Sequence, residues 1–124
     1  MIGAPVSPCS RYCFTVDLVD DAALVDEYLK LHEPGGVWPM VLLHLRALGI
    51  VNMEIWREDR RLFMVIDAAG DFPRAPVSEI NQPELARWDA LMRRFHRHGP
   101  ADSGDSWRTM RRIFNLSDHD RQGS

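Results

Sequence analysis

No apolar run in this 124-residue chain approaches the ~18 residues that a membrane span needs. Residues 1–10 have neither the basic start nor the apolar segment of a signal peptide. Cysteine is scarce. Cys9 and Cys13 are close in sequence, and Cys13 sits in a strand-like run, so both read as free thiols of a reducing cytoplasm. There is no cysteine pair at zinc spacing, no glycine-rich phosphate loop and no Gly-x-Ser-x-Gly elbow, which disfavours hydride and phosphoryl transfer. An excess of positive charge is also missing. Fifteen basic against eighteen acidic side chains give a net charge of -3, and Arg93, Arg94, Arg97, Arg111 and Arg112 form only local clusters, so nucleic acid is not an expected partner. His96 and His98 are two residues apart near a helix end and would diverge, so no metal is expected either. What remains is one soluble cytoplasmic domain, long enough to bury roughly two-thirds of the surface its unfolded chain exposes.

The pattern along the chain supplies the elements. Residues 1–10 read as a loose leader. Residues 11–19 alternate, with Tyr12, Phe14, Val16 and Leu18 on one face. Asp20 or Asp21 can cap a helix over 22–32, which Pro34, Gly35 and Gly36 end. Pro39 suits the first turn of a second helix over 40–48. Residues 50–57 and 61–68 are β-rich runs joined tightly enough for a hairpin, with Val51, Met53 and Ile55 on one face of the first and Asn52, Glu54 and Trp56 on the other. A long loop over 70–82 leads to an amphipathic helix over 83–96, a loop over 98–106, a strand over 107–116 and a polar tail over 117–124. This βαββαβ order predicts an α+β, ferredoxin-like fold, a four-stranded antiparallel sheet with its helices on one face. Strands one to three and Phe114 offer apolar residues to the other face, most simply covered by a second copy, so a homodimer is expected.

Chemistry concentrates in residues 28–39. Tyr28 and His32 share a helix face, and a Pro-Gly-Gly turn then leads to Trp38, so phenol, imidazole and indole fall within a short span able to hold a small polar ring. An imidazole can both give and take a proton near neutrality. Glu54, with Asn52 and Trp56 on one strand face, also suits a sugar: hydroxyls want acceptors and donors, and the ring's C–H faces stack on aromatics. Trp88 reads as a helix core residue, with Asp89 able to reach a cleft edge.

Tyr-x-x-x-His, the following Trp-Pro, Gly-Ile-x-Asn at strand two, Arg-Trp in the last helix and the closing aromatic strand together resemble the L-rhamnose mutarotases, collinearly over residues 11–116. The resemblance implies a cofactor-free enzyme that interconverts the α and β anomers of a 6-deoxy hexose in a dimeric α/β barrel. It makes His32 the catalytic proton donor, Tyr28 a sugar-binding residue and Trp88 the first of two paired tryptophans. Met53 stands where the family has a sugar-contacting tyrosine, Asp89 stands at the second tryptophan, and the link over 33–37 is longer than usual. L-Fucose thereby rivals L-rhamnose as substrate. In the expected mechanism His32 protonates the ring oxygen, and Glu54 or Asp89 accepts the anomeric proton. Small dimeric ferredoxin-like chains also include cofactor-independent oxygenases, haem-degrading enzymes and ligand-sensing modules, which are the rival readings.

Overall fold

The alternation beginning near Arg11 becomes strand β1 (Ser10–Asp17) in the computed structural model, which describes residues 10–97 and 107–123. Helix α1 (Ala22–Leu31) opens at Asp21, whose carboxylate accepts from the backbone N–H groups of Ala23 and Leu24 at 3.0 and 3.2 Å. These are donors that the helical ladder leaves unmatched. Pro39 begins α2 (Pro39–Ala47), where its missing N–H costs nothing. Strands β2 (Ile50–Glu58) and β3 (Arg61–Ala68) form the hairpin and turn at Asp59, whose φ of 54° a short acidic side chain tolerates. Helix α3 (Gln82–Phe95) starts at Asn81, which accepts from the Glu84 N–H at 3.0 Å. Strand β4 (Arg108–Met110) completes a four-stranded antiparallel sheet in the order β2-β3-β1-β4, the ferredoxin-like arrangement.

Cross-strand partners share a face, so the register sorts the sheet into two sides. Val16 pairs with Leu62, Phe14 with Met64, Ile66 with Met53 and Met64 with Ile55. This side meets the helices. Val16, Leu18 and Leu62 pack with Tyr28, Val41, Leu85, Trp88, Met92 and Phe95, while Ile50, Ile66 and Ala68 pack with Leu45, Leu48 and Met53. The opposite side carries Cys13, Thr15, Phe63, Val65, Asn52, Glu54, Trp56 and Met110. It also carries two cross-strand ion pairs, Arg11–Asp67 and Arg61–Asp17, each at 2.8 Å.

Three expectations need correction. Strand one gives its apolar residues Tyr12, Phe14 and Val16 to the helices, so the open side is more polar than expected. A β-bulge between Ile50 and Asn52 makes Val51 an extra residue, 59% exposed; Ile50 takes its place beside Met53 on the helix side. Strand β4 covers three residues rather than ten. Beyond Met110 the chain leaves β1, Arg112 turns toward Asp118 at 3.6 Å, and Ile113, Phe114 and Leu116 stand exposed. A 3-10 helix spans Leu116–Gly123. Of the expected leader only Ser10 lies within the described residues, and it opens β1.

Candidate active site

Helix α1 ends one residue before His32, and the manner of its ending sets the imidazole. The His32 backbone N–H bonds to the Leu29 carbonyl at 3.1 Å, a tightened last turn. The Tyr28 carbonyl, which a continuing α-helix would give to that N–H, accepts instead from His32 Nδ1 at 2.8 Å. A carbonyl can only accept, so Nδ1 carries the proton and Nε2 keeps the lone pair in the neutral ring. The ring also stacks on Tyr28, with centroids 4.1 Å apart and an interplanar angle of 28°.

The next turn returns the chain to the helices. Gly35 has φ of 87°, and a Cβ on Gly36 would stand 2.6 Å from the Lys30 carbonyl oxygen and 2.8 Å from that of Leu31. Only glycine lets the loop lie this close to the end of α1. Trp38 consequently meets Trp88 of α3 edge to face, at 5.1 Å, and Trp88 lies 6.0 Å from His32. Tyr28, His32, Trp38 and Trp88 thus form one aromatic cluster.

Burial governs the electrostatics there. Tyr28 is 2% exposed, and desolvation raises its phenol pKa above the ordinary value. Desolvation lowers the pKa of His32, partly offset by the Tyr28 carbonyl, so the imidazole is neutral at pH 7. Behind Tyr28 lie Phe95, at 5.7 Å, and His96, at 6.0 Å; His96 in turn meets Trp107 at 5.5 Å. Sequence reasoning weighed His96 only as half of a metal pair. Its helical position, one residue past the stripe of Leu85, Trp88, Met92 and Phe95, was the signal that it would be buried.

The remaining candidates are placed elsewhere. Met53 is on the helix side of β2, in the adjoining core group that shares Leu45 with the aromatic cluster. Asp89 is exposed on α3 beside buried Trp88. Asn52, Glu54 and Trp56 lie on the opposite side of the sheet, where Trp56 Nε1 donates to Glu54 Oε1 at 2.9 Å. The sheet therefore stands between Glu54 and His32. His98 lies outside the described residues, and among those described no three His, Cys, Asp or Glu side chains gather as metal ligands.

Two surface depressions, of ≈ 270 and ≈ 300 Å³, occur at the hairpin end of the sheet. Neither is lined by an aromatic ring. The aromatic cluster, by contrast, combines ring surfaces with a neutral imidazole.

The sequence profile of a family described as L-rhamnose mutarotase matches residues 11–116. The chain belongs to the L-rhamnose mutarotase family. It is 40% identical over 111 residues to an L-fucose mutarotase of Xanthomonas campestris pv. campestris, covering 87% of this chain and 89% of that protein. It is 32% identical over 112 residues to a UPF0734 protein of Dictyostelium discoideum, covering 85% and 88%. This mutarotase is an isomerase acting on carbohydrate, and it interconverts the anomers of a 6-deoxy hexose. Among its described residues no helix is long and apolar enough to cross a membrane.

Proposed function

We propose that the cluster around His32 is where this mutarotase opens and recloses its sugar, and that L-fucose is its preferred substrate. One observation carries the reading: a neutral imidazole, fixed through Nδ1 to the Tyr28 carbonyl, lies between a stacked phenol and an indole. Mutarotation needs one proton taken from the anomeric hydroxyl and one delivered to the ring oxygen, and a positioned imidazole is worth about 10²–10⁴-fold in such transfers. Half-buried Trp38, backed edge to face by buried Trp88, supplies apolar wall for the C–H faces and the C6 methyl group of a deoxy sugar. Met53, in the adjoining core group, stands where the family has a sugar-contacting tyrosine and bears on which hydroxyl pattern is accepted. The 40% identical L-fucose mutarotase supports L-fucose over L-rhamnose. Saturation-transfer NMR of anomer exchange across a panel of deoxy and ordinary hexoses tests the assignment. The fastest exchange is expected with L-fucose, and an equal response to every sugar would overturn it.

The protein works, in this reading, as a cytoplasmic homodimer without a cofactor, its two open sheet sides facing each other as a dimeric α/β barrel. Support comes from Trp56, 63% exposed, and from exposed Met110 on the same side. Glu54, hydrogen-bonded to Trp56, belongs to that face.

A further inference from the structure

We propose that a single atom, Nε2 of His32, performs both proton transfers of the reaction, with no second acid or base drawn from the described residues. The inference rests on the mutarotase reading and goes one step past it. The two transfers would ordinarily be divided between a base for the anomeric hydroxyl and an acid for the ring oxygen. Three observations remove that division. Nδ1 is occupied by the Tyr28 carbonyl at 2.8 Å, so Nε2 is the nitrogen left for a sugar. Glu54 lies beyond the sheet, and in a dimer built through the open sides the partner copy's glutamate would lie beyond it as well. Tyr28 is buried and its phenol is held protonated, so it can donate a hydrogen bond but is a poor base.

The chemistry balances with one nitrogen because both oxygens are bonded to C1. Nε2 takes the proton of the O1 hydroxyl. The O1 electron pair forms the C1=O1 double bond, and the C1–O5 bond breaks with its pair leaving on O5. The imidazolium then gives the same proton to O5 after a small shift of the sugar, and the open-chain aldehyde results. Rotation about C1–C2 presents the other carbonyl face. The reverse sequence closes the second anomer and restores the neutral ring. Nε2 thus serves as a shuttle between two oxygens on one carbon.

Among the described residues few other ionisable groups bear on His32. Tyr28 of α1 lies against it, and His96 follows one ring further, past the end of α3. From α3 and the entry to α2 come Trp88 and Trp38, which do not titrate. Lys30 and Glu33 beside it and Asp89 on α3 are exposed.

The test is the pH profile of anomer exchange for the full-length protein and three variants. With one shuttle, the rate rises through a single ionisation and stays level to alkaline pH. Glu54→Gln matches the parent rate within two-fold, and Asp89→Asn keeps the single-limbed profile whatever happens to KM. His32→Gly loses at least 100-fold, and free imidazole restores part of the loss, which also shows that the variant is folded. A descending alkaline limb, or its loss in Asp89→Asn or Glu54→Gln, would identify a second group and overturn the proposal while leaving the mutarotase reading intact. A parent protein inert toward every deoxy sugar would instead remove that reading.

Discussion

A histidine one residue beyond a helix end has two competing partners, the last open carbonyls and the solvent, and at His32 the carbonyl wins. Tyr28 and His32 at i and i+4 were legible in the sequence. The tautomer was not, because it depends on how the last turn tightens. Burial depresses the His32 pKa, so the imidazole contribution to stability is fully present above the ordinary histidine value of about 6.5 and is lost as pH falls through the lower folded value. Urea unfolding between pH 8 and 5 should therefore show a larger drop for the parent than for His32→Gln. Tyr28→Phe keeps the stack on His32 but removes the hydroxyl. The expected outcome is a roughly ten-fold fall in kcat/KM, about 1.4 kcal/mol of transition-state stabilisation, with little change in melting temperature.

Elements were legible where local chemistry dictates them: a cap at Asp20 or Asp21, which falls at Asp21, Pro39 at the start of α2 and the β2–β3 hairpin. The 33–37 link read only as longer than its relatives', although it decides where Trp38 lies. Gly36→Ala places a methyl group against two backbone carbonyls that cannot move without unwinding α1. Destabilisation of about 1–3 kcal/mol is expected. The expected companion effect is a weaker Trp38–Trp88 contact, visible as changed near-ultraviolet circular dichroism and a raised KM for the sugar. Asp21→Ala, which removes two capping bonds far from the site, should cost about 1 kcal/mol and leave KM alone. Strand β4 was over-extended because alternation alone cannot tell a paired strand from an extended segment that leaves the sheet.

At the scale of the molecule, alternation divides each strand into two faces, but only pairing between distant strands decides which face the helices cover. Glu54 and His32 could therefore be nominated for one site from the sequence, and the β2–β3–β1 register separates them. If two copies meet through the open sides, Trp56→Arg should convert a dimer to a monomer in analytical ultracentrifugation while the His32 cluster stays folded. The same register gives Val51 a further meaning. As the bulged residue it has no partner on β3, and Ile50 and Asn52 would alternate regularly without it. A relative or variant lacking this one residue keeps Met53 on the helix side and Glu54 on the open side. A deletion later in β2 would exchange them. The strand thus carries a spare residue at its entrance, and this is the place in β2 where evolution can change its length by one without turning the enzyme's binding surface inside out.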